Sequence, residues 1–147
     1  MEVLEQHFLT IVRLIKGGKM ANSISTYREA VKKIAANLNL KGGDKHSQDW
    51  EYEVADPNRI EDFLEFYINN KLDTVEKRIL VKLLLESYND YVGENGFNLD
   101  YTRRIKKILE KEKTLCEDII RVWLCEGEEI EDVFYITPVI REIAKDV

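Results

Sequence analysis

The sequence predicts an all-α fold, an irregular single-domain bundle of about six helices with at most one short strand pair. Three observations carry this. Only two prolines and seven glycines occur in 147 residues, so long helices are permitted. Apolar residues recur at helical spacing over most of the chain. At Thr26, Asp73 and Thr114 a capping residue stands three positions before a glutamate. The length suits one domain, residues 1–147, because about 100–200 residues is the usual range.

The elements follow in order. Leu4, Phe8, Ile11, Val12 and Ile15 form one apolar stripe, which Gly17-Gly18 ends. Thr26 and Glu29 form a capping box for a second helix, whose inner face is Tyr27, Ala30, Val31, Ile34 and Leu38. Residues 39–55 read as a loop or extended linker segment within the domain. Their first part is polar, and Trp50, Tyr52 and Val54 then alternate with Glu51 and Glu53 as in an extended segment or short edge strand. Asp56-Pro57 reads as a cap and first helical residue, with Ile60, Phe63, Leu64, Tyr67 and Ile68 facing inward. Asn69-Asn70 closes that helix.

Asp73 and Glu76 open the most apolar helix, through Val75, Ile79, Leu80, Leu83, Leu84, Tyr88, Tyr91 and Val92, with Gly93 to Gly96 ending it. This is the expected central helix. Asp100 caps a fifth helix with Tyr101, Ile105, Ile108 and Leu109 inside. Thr114 and Glu117 give either a new start or a continuation, with Leu115, Ile119, Val122 and Trp123 as the apolar face. An acidic turn, 126–132, precedes an extended Val133–Ile136. Thr137-Pro138 then starts a last helix that docks through Ile140, Ile143 and Ala144.

Composition excludes several classes. Charges total 28 acidic against 22 basic, a net of −6. They are uneven: residues 1–45 carry +4, residues 46–100 carry −8 and residues 101–147 carry −2. That disfavours a dominantly cationic nucleic-acid binder and suits steering toward a basic partner. No apolar run approaches the ~20 residues of a membrane span, and Glu2 and Glu5 stand where a signal peptide would be basic. The expectation is a cytoplasmic protein that contacts no membrane. Cys116 and Cys125 are nine residues apart, about 900° of rotation on one helix, so they would face opposite ways as free thiols.

No chemistry-bearing motif survives inspection. There is no C-x-x-C, H-E-x-x-H or Glu-x-x-His, so no metal or cofactor is expected. His7 reads as a helix-surface residue and His46 as part of a polar loop. Gly42-Gly43-Asp44-Lys45 lacks the ending of a phosphate-binding loop, and no serine stands in a nucleophile elbow. Glu61 and Glu65 share a helix face, but among many other acids. Acidic neighbours raise the Cys116 thiol, so no catalytic residue is assigned. Arg103, Arg104, Lys106, Lys107, Lys111 and Lys113 form a basic cluster interleaved with Glu110 and Glu112, as on an ordinary helix surface. Trp50 reads either as an interface anchor or as a plug in the bundle, and Trp123 as core.

Trp50–Glu51–Tyr52, Asp56–Pro57–Asn58–Arg59–Ile60, Ser87–Tyr88–Asn89–Asp90–Tyr91, Trp123 and Ile136–Thr137–Pro138–Val139–Ile140–Arg141 together resemble small helical bacterial immunity proteins. These are the cognate inhibitors of contact-dependent growth inhibition and other polymorphic toxin systems. The resemblance implies an inhibitor that binds one toxin domain and performs no chemistry. An acidic chain suits a basic, nuclease-like toxin. The expected contacts are Trp50, Glu51, Tyr52, Glu53, Glu61, Asp62 and Glu65, with Glu128, Glu129 and Asp132 as a second set. The competing readings are a helical adaptor or homo-oligomeric scaffold, and a small enzyme using carboxylates.

Overall fold

The computed structural model describes residues 26–43 and 49–146. The predicted first helix, His7 and His46 lie outside them. Seven α-helices and one 3-10 turn (Ile130–Asp132) form among the described residues, and no strand. They are α1 (Tyr27–Leu38), α2 (Trp50–Val54), α3 (Ile60–Asn69), α4 (Thr74–Asn95), α5 (Leu99–Lys111), α6 (Glu117–Leu124) and α7 (Thr137–Asp146).

The 22-residue α4 is the axis of the bundle. Helices α1, α2 and α3 pack on it, α5 packs on α3 and α7, and α6 packs on α7. One core runs through them, with Ile34, Trp50, Phe63, Leu80, Leu84 and Ile105 all but inaccessible to solvent. Because α4 is covered on several sides, even its polar Ser87 and Glu76 are buried.

Two predicted caps form. Thr26 Oγ1 accepts from the Glu29 amide at 3.1 Å, and Glu29 returns the bond to the Thr26 amide. Asp73 and Glu76 exchange the same pair at 2.8 and 2.9 Å. The second oxygen of Glu76 takes Lys33 at 2.9 Å, so one capping carboxylate also joins α1 to α4.

Other starts differ from the sequence reading. Residues 50–54 are helical, not extended, because Trp50 turns inward and its indole N–H donates to the Lys41 carbonyl at 2.8 Å. Asp56-Pro57 forms a turn ahead of α3 rather than its cap. The Asp56 carboxylate accepts from the Asn58 amide, and its own amide donates to Ser87 Oγ, fixing the turn to α4. Asn98, not Asp100, caps α5 through the Tyr101 amide. The helix breaks at residues 112–116, and α6 starts after Cys116 with no side-chain cap. Gly93 lies within α4 and does not end it. A Cβ there would come 2.7 Å from the ring of the exposed Tyr135, which would have to shift to make room. Val133 is extended, but Tyr135 and Ile136 turn. Three side chains assigned to the interior are exposed: Tyr27 on α1, Ile68 on α3 and Val122 on α6.

The C-terminus of α6 is closed by α7. Cys125 adopts a left-handed φ of 48°, and the carbonyls left open are taken from outside the helix. Thr137 Oγ1 donates to the Trp123 carbonyl at 2.8 Å. Arg141 donates to the carbonyls of Leu124, Cys125 and Glu128 at 2.9, 2.7 and 3.1 Å. Arg141→Ala is expected to lower the unfolding free energy by ~2 kcal/mol in urea denaturation, since charged hydrogen bonds are worth ~1.5–3 kcal/mol and water replaces part of them. A loss below ~0.5 kcal/mol would show that water closes the helix equally well.

Candidate functional site

The most distinctive recess is a cleft of about 260 Å³ between α2, α4 and α6. Trp50 sets its first wall. With its indole anchored inward, the ~100° step per residue turns Glu51 into the cleft and sends Tyr52 outward. Tyr52 is accordingly 71% exposed and Glu51 only 3%. Asp49 continues this wall. Lys82 and Glu86 of α4 form the base. Asp118, Ile119, Val122 and Trp123 of α6 form the opposite wall. Val122 is 64% exposed, and the Phe134 ring lies 4.7 Å from that of Trp123.

Four carboxylates thus line the cleft with one lysine. Glu51 accepts the Tyr27 hydroxyl on both oxygens, at 3.1 and 3.2 Å. Burial raises the Glu51 carboxyl above the usual range, against the pull of its backbone hydrogen bond, Lys82 and Tyr27. Burial raises Glu86 as well, and the negative charges of Asp90 and Glu51 add to it. Asp90 is raised by burial and by Glu94, so repulsion extends along one face of α4 at i, i+4 spacing. Asp118 is the exception. Arg78 donates to both of its oxygens at 2.7 Å and holds it below the usual range.

The residues singled out from sequence are separated in space. Trp50 and Glu51 are enclosed by the chain itself, so neither presents a surface to a partner. Trp50 is the plug. Tyr52 reaches the cleft rim, and Glu53 is exposed on α2. Glu61 is held by Arg104 of α5, so it does not form a working carboxylate pair with Glu65. Asp62 pairs with Arg59 at 2.8 Å, and Asp62 and Glu65 border a shallow polar hollow between α1 and α3. Glu128, Glu129 and Asp132 are exposed on the α6–α7 connection, outside the lining of the cleft.

Sequence reasoning did not select Lys82, Glu86, Asp118, Ile119 or Val122. Glu86 carried a readable signal, being an acid next to the apolar run of the central helix, with Asp90 and Glu94 following at four-residue steps.

Nucleophilic or metal chemistry gains nothing from the geometry. Burial pushes the Cys116 thiol up to about 12, with Glu112 and Asp118 adding to it and Arg78 opposing. Cys116 and Cys125 are both free thiols. Among the described residues no group of three or more His, Cys, Asp or Glu is placed to hold a metal ion. Among them, too, no helix is long and apolar enough to cross a membrane. A larger hollow of about 380 Å³ lies between α5, α6 and α7. Its rim is charge-balanced, with Lys113 and Arg121 against Glu117 and Glu126, and Arg121 already bonds Glu117 at 2.6 Å.

The fold and cleft define a small helical protein with an acidic, aromatic-rimmed recess. No known protein family, curated protein or solved structure matches the chain.

The cleft's acids give a signed pH dependence. Glu86 binds its proton more tightly folded than unfolded, so its ionisation opposes folding as pH rises from about 4.5 through the raised value. Glu86→Gln is expected to raise stability at pH 7.5 by less than ~1 kcal/mol after solvent screening. The gain is expected to vanish below about pH 4, where the carboxyl is protonated in both states. Melting curves at the two pH values measure this, and an equal gain at both would trace it to packing instead.

Proposed function

We propose that this protein is an immunity protein that acts in the cytoplasm by binding and neutralising a basic bacterial toxin domain, a nuclease being the kind its acidity suits. The observation that carries the reading is the cleft, where Asp49 and Glu86 lie with the enclosed Glu51, Lys82 is the one lysine of the lining, and Asp118 is held by Arg78, beside the exposed Tyr52 and Val122. Glu86, raised by burial and by the negative charges of Asp90 and Glu51, gains from an incoming cation. Exposed aromatic and aliphatic groups next to it supply the apolar anchors that carry most affinity in protein interfaces. The same cationic groups in a nuclease would hold nucleic-acid phosphate, so pairing them with carboxylates blocks the toxin by occlusion. The resemblance to immunity proteins points the same way, and its diffuse motifs include the Trp50 plug that shapes the cleft.

The test is binding to a basic toxin domain encoded beside this chain, measured against salt. Tyr52→Ala is expected to weaken binding roughly tenfold through lost apolar contact. Glu86→Lys is expected to slow association and flatten the salt dependence. Binding that ignores both changes would remove the cleft as the site. The acids at Glu61, Asp62 and Glu65, and at Glu128, Glu129 and Asp132, would then be the surfaces to reverse.

A further inference from the structure

We propose that the partner docks through a basic amphipathic α-helix of about three turns. The apolar side of that helix lies on a strip formed by Tyr52, Val122, Phe134 and Tyr135, and its cations meet the row Glu86, Asp90 and Glu94 on α4. That the helix belongs to a toxin rests on the immunity reading; the docking surface itself does not.

The apolar strip is continuous. Tyr52 and Val122 rim the cleft, and Trp123 of its wall meets the Phe134 ring at 4.7 Å. Tyr135 follows, its ring so close over Gly93 of α4 that a Cβ there would touch it. The Ile136 amide donates to Asn89 Oδ1 at 3.1 Å, which fixes this end of the strip beside Asp90. All four strip side chains are exposed. Single exposed apolar residues are ordinary, whereas a contiguous run of them rimmed by charge marks an interaction surface. The acids run alongside. Glu86, Asp90 and Glu94 follow one another at four-residue steps and span about 12 Å of α4. Among the described residues no cation pairs with any of the three, and Lys82 acts on Glu51 instead. A cation arriving at this row is therefore attracted without first breaking an existing pair.

These features select the occupant. A helix carries cations at matching four-residue steps and an apolar stripe beside them, with its backbone hydrogen bonds already made. An extended segment would need a free sheet edge for its amides, and no strand occurs among the described residues. A second copy of this chain is a poor match. Its basic helix α5 spends Ile105, Ile108 and Leu109 in its own core and has no apolar side left to offer.

The experiment is fluorescence anisotropy of the full chain with a labelled, helix-stabilised synthetic peptide of roughly 18 residues. The peptide carries lysine at every fourth position along one side and leucine beside it. A scrambled peptide of the same composition is the comparison. The ordered peptide is expected to bind at least about tenfold more tightly than the scrambled one. E86Q/D90N/E94Q and Tyr135→Ala are each expected to weaken it roughly tenfold, and D62N/E65Q on α3 less than about twofold. Val122→Ser is expected to weaken it similarly, and serves in place of Tyr135→Ala if that change loosens the α6–α7 connection. Equal binding of the two peptides would assign the attraction to charge alone and overturn the proposal. So would ordered-peptide binding that ignores both E86Q/D90N/E94Q and Val122→Ser, or its absence up to about 1 mM peptide. Sedimentation that shows a dimer lost in the same variants would overturn it by assigning the strip to a second copy. A toxin domain that fails to bind while the ordered peptide still does would remove the immunity reading and leave the helix-docking surface standing. A toxin domain that binds regardless of E86Q/D90N/E94Q and Val122→Ser would do the reverse.

Discussion

Arg78 is the tie on which the arrangement of the molecule depends. Its guanidinium reaches from α4 to the Leu115 carbonyl at 2.7 Å and takes both oxygens of Asp118. A planar fork suits that bidentate geometry, and a lysine would not reproduce it. The attachment is made by a long side chain rather than by close helix packing. Helix α6 packs on α7, and it is held beside α4 at the length of an arginine. A recess between α4 and α6 is the geometric result. Its third side comes from α2, whose direction is set by Trp50 bonding the Lys41 carbonyl. The cleft is therefore a consequence of two anchors, of which Trp50 is wholly enclosed.

A stability argument separates this cleft from the rest of the surface. Several acids elsewhere are placed where they help the fold. Glu76 caps α4 and binds Lys33, Glu112 accepts from Tyr67 and pairs with Lys77, and Glu61 binds Arg104. Glu51 and Glu86 instead lose solvation and repel their neighbours, which opposes folding. These two acids therefore do not contribute to stability where they stand. The part-buried Tyr27 hydroxyl lies 3.1 and 3.2 Å from the two Glu51 oxygens and fixes that carboxylate in place.

Much of the fold was legible because its signals are local. The Thr26–Glu29 and Asp73–Glu76 boxes involve neighbours in sequence, and the apolar stripe of α4 is long enough to define a period. What failed was decided over longer range. Trp50, Tyr52 and Val54 alternate, but five residues cannot separate a strand from one turn and a half of helix, and the indole's distant acceptor decided it. Thr114 and Glu117 have box spacing, yet the chain there is governed by Arg78, 37 residues away from Leu115. Ile68 and Val122 fit their apolar faces but lie where, among the described residues, no second element covers them. The site was harder still. Its acidity was visible as a sum over residues 46–100, whereas its lining joins α2, α4 and α6, and Asp118 comes from the nearly neutral final third.

The linear charge pattern gains a physical meaning once the cleft is known. The −8 over residues 46–100 brings Asp49, Glu51 and Glu86 to the cleft, with Lys82 as the one lysine of its lining. Asp118 comes from the nearly neutral final third and is already taken by Arg78. The field at the cleft is therefore set by which helices meet there, and not by the sum of charge along the chain.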